Sequence, residues 1–149
     1  MNPFNIREAL QAKHAQHVVL IHFPIALCMV GVAFDFVAYW TKRSALATAA
    51  YYNFTVAAIA TLPVIATGLL AWQFQLEGQR LKGILLEHLV LGVVSSAMIC
   101  LVWYLHFRVR RASEQTLPRY CLAVELVAMG LVAVTAHLGG YLSGVNISS

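Results

Sequence analysis

Charged residues are scarce in this chain of 149 residues, at 11% of the sequence against about 25% in ordinary soluble domains. Apolar residues reach 60%, and the mean hydropathy is +0.74. A soluble globule of this size needs more polar surface than the chain provides. This excludes a soluble enzyme, a secreted disulfide scaffold and a nucleic-acid-binding domain. In so apolar a chain, the net charge of +4 indicates membrane orientation rather than nucleic-acid binding.

Cysteine is equally sparse. Cys28, Cys100 and Cys121 have neither metal-ligand spacing nor a plausible disulfide framework, so we interpret them as small apolar side chains within membrane spans. The chain also lacks a paired nucleophile and base, a phosphate-binding glycine loop and any evident internal repeat. These absences favour an electron-transfer or accessory subunit over an independent enzyme.

Four long apolar stretches stand out, each close to the roughly 20 residues that a helix needs to cross a bilayer. They cover residues 17–41, 51–74, 84–107 and 119–143. Because short connections make neighbouring helices antiparallel, we predict an all-α integral membrane protein, with residues 1–149 forming a single up-down-up-down four-helix transmembrane domain. Asn5 and Glu8 have the spacing of a capping box, which predicts a short N-terminal interfacial helix over residues 1–16 rather than a cleavable signal peptide.

The basic residues are distributed unevenly between the two sides of this bundle. The side with the connections 42–50 and 108–118 holds six of them: Lys42, Arg43, Arg108, Arg110, Arg111 and Arg119. The side with the termini holds four: Arg7, Lys13, Arg80 and Lys82. Since positively charged connections remain in the cytoplasm, we predict that both termini lie on the outer side.

Six histidines are unusual in so small a membrane protein, because ionisable side chains at membrane depth are costly and usually functional. His22, His88 and His137 come from three helices, and all three lie roughly 6–9 Å below the outer surface at about 1.5 Å per residue. His17 lies at the start of the first span. This arrangement predicts haem b, one or two groups, held between facing helices by axial imidazoles. His22 with His137 is the preferred ligand pair, with His88 as its rival or as the ligand of a second haem.

Two acidic residues, Asp35 and Glu125, lie deep in the cytoplasmic halves of the first and fourth helices. They either relay protons or hydrogen-bond to a neighbouring helix near His106 or Arg119, and the sequence leaves both interpretations open.

The direction of His22 depends on the first helix. On a straight helix, His22 lies about 140° from the face that contains Asp35. Pro24 disfavours helical geometry at Phe23, so we expect a break there that turns His22 towards the interior.

The same histidines allow two other functions. In one, the protein is a cofactor-free accessory or assembly subunit of a membrane redox complex, and the histidines only order the bundle. In the other, a non-haem metal such as zinc or copper is held by His17, His22 and His88, with Glu87 as a further ligand.

The string HVVLIHFPIAL, from His17 to Leu27, resembles the first helix of a bacterial family of small four-helix membrane proteins of unknown function. The resemblance continues through Phe34-Asp35, Thr67-Gly68, His88 and His137-Leu138-Gly139-Gly140. It implies the four-span fold, the bacterial inner membrane and, in some relatives, an association with c-type cytochromes. An outer haem would then exchange electrons with quinol, a c-type cytochrome or other membrane redox subunits, with both termini in the periplasm.

Overall fold

Four long α-helices make up the structure, a computed structural model that describes residues 13–76, 78, 80–112 and 117–143, without the side chains of residues 13–15 and 75. The helices are α1 (Lys13–Thr41), α2 (Ser44–Gln75), α3 (Ile84–Arg111) and α4 (Arg119–Leu142). All regular structure in these described residues is helical, which confirms the all-α four-helix transmembrane bundle. Residues 1–12, which hold most of the predicted interfacial helix, lie outside the described part.

Each helix is long and apolar enough to cross a membrane. The shortest has 24 residues and the longest 32, about 36 and 48 Å at 1.5 Å per residue. α2 begins at Ser44, seven residues before the predicted span, because the helix continues beyond the most apolar part of its sequence. Pro118 precedes α4 with an extended backbone, as expected for a residue at a helix start. The chain is a multi-pass membrane protein, and its outer surface contacts the lipid bilayer.

The chain connections define two ends of the bundle. We call the end where α1 begins and α4 ends the terminal end. The opposite end, where α1 turns into α2 and α3 into α4, is the loop end. Only Lys42 and Arg43 separate α1 from α2. α1 packs mainly on α2, and α3 mainly on α4, with sparser contacts between the two pairs. The bundle is therefore a pair of helical hairpins.

Small side chains fill most of the space between the hairpins, while many large apolar residues face outward. Phe54 is the largest fully buried side chain. Its ring lies against Gly31, where an added Cβ would come within 2.9 Å of Phe54 Cζ. The absence of a side chain at Gly31 therefore creates the space that Phe54 occupies. Close packing of this kind holds membrane helices together, because lipid offers no hydrophobic driving force for their association.

The two hairpins have matching buried positions. Adding 71 to a residue number in the first hairpin gives the equivalent position in the second hairpin. This offset pairs His17 with His88 and Gly68 with Gly139. Through the same offset, eight of the nine buried residues in α3 and α4 fall on buried positions of α1 and α2. Ser95, Ile99, Val102, His106, Cys121, Glu125, Ala128 and Val132 correspond to Pro24, Cys28, Gly31, Asp35, Ala50, Phe54, Ala57 and Thr61.

This correspondence is an internal repeat that the sequence alone did not reveal. Most residues paired by the offset differ, and most identical ones are common apolar types, so only the packing makes the repeat visible. Both hairpins run in the same direction through the membrane. In such parallel repeats the two halves are related by an axis along the membrane normal. Residues at equivalent positions of α1 and α3 consequently face each other across the bundle.

The contact between Gly31 and Phe54 can be tested with Gly31→Ala. The new methyl group would overlap the buried ring, and overpacking of this kind typically costs about 1–3 kcal/mol of unfolding free energy. Thermal unfolding of the detergent-solubilised protein, followed by tryptophan fluorescence, measures the loss. Gly130→Ala is the matched control, because a Cβ at Gly130 meets nothing within 4 Å. Equal stability of the two variants would contradict the packing described above.

Candidate functional site

The structure does not bring together the preferred ligand pair, His22 and His137, because both side chains are exposed on the outside of the bundle. α1 is continuous through Phe23 and Pro24, contrary to the expected break. His22 instead turns back on its own helix, where its Nδ1–H donates to the carbonyl of Val18 at 2.6 Å. His137 packs edge-on against the ring of Tyr141, with 5.0 Å between ring centroids.

The other two candidate ligands, His17 and His88, line an apolar cavity of about 320 Å³ at the terminal end. All four helices contribute to its wall, and the connection between α2 and α3 contributes Leu81. The cavity extends inward as far as Thr61 and Ile99. It is therefore enclosed mainly by apolar side chains, with one histidine from each hairpin.

His17 is held by a residue of α2. Its Nδ1 lies 3.2 Å from Thr67 Oγ1. Thr67 already donates its hydroxyl hydrogen to the carbonyl of Pro63 at 2.8 Å. With its hydrogen on the carbonyl of Pro63, the Thr67 hydroxyl accepts from His17, and this arrangement assigns the ring hydrogen to Nδ1. In the neutral imidazole, Nε2 then carries the lone pair.

His88 has the same tautomer in the second hairpin. Its Nδ1–H donates to the backbone carbonyl of Thr135, on α4, at 3.1 Å, and a carbonyl can only accept. Thr135 is fixed in turn, since its hydroxyl donates to Leu131 and accepts from Ser95 at 2.8 Å. The lone pair of His88 therefore also lies on Nε2. A hydrogen bond at one ring nitrogen that orients the other is the usual arrangement of a metal-binding histidine.

A glycine supports each of these rings. A Cβ at Gly68 would lie 3.0 Å from Cε1 of His17, and a Cβ at Gly139 would lie 3.1 Å from Cε1 of His88. Each imidazole therefore lies directly against the backbone of the neighbouring helix. The two hairpins thus present the same unit, a histidine resting on a glycine, to the same cavity.

A second polar cluster lies at the loop end, where Asp35, His106 and Glu125 are almost completely buried. His106 Nε2 is 3.0 Å from Glu125 Oε1 and 3.2 Å from Asp35 Oδ2. One candidate ligand atom from each residue lies within 4.8 Å of the other two. The ring of Phe54 covers His106, with 4.9 Å between centroids. The cluster thus joins α1, α3 and α4 in an interior closed by an aromatic ring.

Of the two partners that the sequence suggested for the carboxylates, His106 is the one in contact with them. Arg119 lies elsewhere, on the exposed surface, where its Nε donates to the hydroxyl of Tyr39 at 2.8 Å.

A family model described as predicted membrane protein (DUF2231) matches residues 13–146. The chain belongs to this family. The family assignment agrees with the resemblance seen in the sequence and with the four membrane-spanning helices. No curated protein and no solved structure gives a significant match to the chain.

The sequence favoured His22 and His137, which are exposed in the structure, over His17. Depth along a helix can be counted from the sequence, but the direction of a side chain cannot be inferred from a helix that is apolar on every face. The offset of 71, which pairs His17 with His88 and Asp35 with His106, becomes visible only through the matching buried positions.

The hydrogen bonding of the buried cluster predicts the effect of His106→Leu. Removing one partner leaves buried carboxyl oxygens unsatisfied, which typically costs about 1–3 kcal/mol of unfolding free energy. Thermal unfolding in detergent measures this loss, with His22→Leu at an exposed position as the control. The triple variant Asp35→Leu, His106→Leu, Glu125→Leu should recover most of the stability, since replacing all partners of a buried polar cluster by apolar groups can be nearly neutral. A triple variant as unstable as the single one would refute this interpretation.

Proposed function

We propose that this protein is a small electron-transfer protein or subunit of the bacterial inner membrane that binds haem b between His17 and His88. The observation that carries the proposal is the equivalence of these two residues, which occupy the same position in the two hairpins and line one apolar cavity. Two neutral imidazoles are strong axial ligands of haem iron, and a helix bundle is a usual setting for them.

Several features of the cavity support haem binding. Its volume of about 320 Å³ lies at the lower end of the range of cofactor pockets, roughly 300–1,000 Å³. Each imidazole is held through Nδ1, by Thr67 Oγ1 for His17 and by the carbonyl of Thr135 for His88, which directs Nε2 as the ligand atom of a neutral ring. Arg80 and Lys82 are exposed beside the cavity-lining Leu81, and they offer positive charge to the two haem propionates.

The bound haem would supply one-electron redox chemistry, and the chain would orient its ligands and exclude water from it. The threonine partners fix the two imidazoles, and Gly68 and Gly139 keep the space for them. With both termini in the periplasm, the cavity lies at the outer side of the membrane. Its position suits exchange with quinol in the bilayer or with a c-type cytochrome or other redox subunit at the surface.

An optical spectrum of the purified protein tests the proposal. After expression with adequate haem supply, we expect sharp α and Soret bands in the reduced-minus-oxidised difference spectrum. His17→Ala and His88→Ala should each reduce the haem content at least about tenfold or abolish the low-spin bands, because a bis-imidazole site needs both ligands. His22→Ala and His137→Ala, at the two exposed positions, serve as controls and should leave the spectrum unchanged.

Other results would decide against this function. A folded wild-type protein without haem bands or iron would favour the cofactor-free accessory subunit. A second outcome is haem that survives in His17→Ala and His88→Ala and is lost in His22→Ala or His137→Ala. That result would assign the haem ligands to His22 and His137, the pair predicted from the sequence. Zinc or copper lost from His17→Ala and His88→Ala, without porphyrin, would assign the cavity to a non-haem metal.

A further inference from the structure

The cluster at the loop end is independent of the terminal cavity. Cys28, Ala57, Ile99 and Ala128, all buried and apolar, lie between the two levels. Asp35 is 2% exposed, His106 is 2% exposed and Glu125 is 0% exposed. Burying an isolated carboxylate in so apolar an interior is very costly, so buried charges are paired or coordinate a metal.

The hydrogen bonds of His106 do not satisfy every oxygen of this cluster. The single ring nitrogen Nε2 of His106 lies within 3.2 Å of oxygens from both carboxylates, yet it can carry only one hydrogen. Among the described residues, Asp35 Oδ2 and Glu125 Oε2 are buried without a hydrogen-bond partner. Buried polar atoms without partners are rare and often mark an ion that completes the site.

We propose that Asp35, His106 and Glu125 form a structural binding site for one divalent transition-metal cation, with zinc as the best-matched ion. Bonds of about 2.0–2.1 Å in tetrahedral geometry place neighbouring ligand atoms roughly 3.3–3.4 Å apart. The two nitrogen–oxygen distances in the cluster are 3.0 and 3.2 Å, close to this spacing, and all three ligand atoms lie within 4.8 Å of one another. Two carboxylates also balance its two positive charges, which leaves the interior neutral.

The cluster holds enough donor atoms for a closed site. Imidazole nitrogen and carboxylate oxygen are both normal zinc ligands. Three residues give three ligands when each binds through one atom. Bidentate binding through Glu125 Oε2, one of the unpartnered oxygens, supplies the fourth. The ion then satisfies an atom that the protein leaves without a partner.

The surroundings indicate a structural role for the ion. Phe54 covers His106, and all three ligands are buried, so an incoming substrate has no path to the ion. The ligands come from α1, α3 and α4. A bound ion therefore links the two hairpins, whose contacts with each other are sparser than those within each hairpin.

Metal content and thermal stability test the proposal. The wild-type protein is expressed in zinc-supplemented medium, purified in detergent and washed with a mild chelator to remove surface ions. Elemental analysis should then give about one zinc per chain, and prolonged chelation at elevated temperature should lower the unfolding temperature. Asp35→Asn and Glu125→Gln should each reduce zinc content at least tenfold. Glu87→Gln, at an exposed acidic residue of α3, should retain zinc fully.

Two further measurements show where the zinc binds and whether a cluster variant has lost zinc only because it fails to fold. The double variant His17→Ala, His88→Ala should retain zinc, which separates this cluster from the terminal cavity. Growth with cobalt should give visible d–d absorption in the wild-type protein, a readout that needs no cluster variant to fold. Background zinc in a folded wild-type protein, or full zinc in Glu125→Gln, would overturn the proposal. Background zinc with greater stability in Glu125→Gln would also overturn it and would indicate carboxylates that share protons.

Discussion

The bilayer removes water as a hydrogen-bond partner, so most polar side chains described within this bundle find their partners on their own or a neighbouring helix. Thr41, Thr55 and Ser96 satisfy this constraint locally, because each hydroxyl donates to a carbonyl of its own helix. The longer side chains of His17, His88 and His106 cross to another helix instead. These few contacts fix how the two helices of each hairpin align. The apolar residues around them add close packing that has no directional preference.

The number of helices and their approximate limits could be predicted because the hydrocarbon thickness sets the length of an apolar run. The rotation of each helix about its axis could not. His17 and His22 are five residues apart, which places them about 140° from each other on a helix. With apolar residues on every face, the sequence did not indicate which of the two faces inward. In the structure His17 rests on Gly68, and His22 is exposed.

The repeat explains why two different sites occur in one small bundle. Equivalent positions of α1 and α3 face each other, so each pair of equivalent residues acts as one unit. Where the pair is identical, as in His17 and His88, two imidazoles line the same cavity. Where the pair differs, as in Asp35 and His106, it places an acid beside a base at 3.2 Å.

The equivalent positions 35 and 106, at the loop end, hold different residues because charges interact strongly in a low-dielectric interior. Two aspartates at positions 35 and 106, beside Glu125, would place three carboxyl groups together and repel each other strongly. The balance of buried charge also limits which residues can occupy the next pair of equivalent positions, Phe54 and Glu125. A second carboxylate in place of Phe54 would add a negative charge that one histidine, or one divalent cation, cannot balance. The aromatic ring fills that volume without charge, so one half of the repeat supplies the carboxyl group of Glu125 and the other covers the cluster with Phe54.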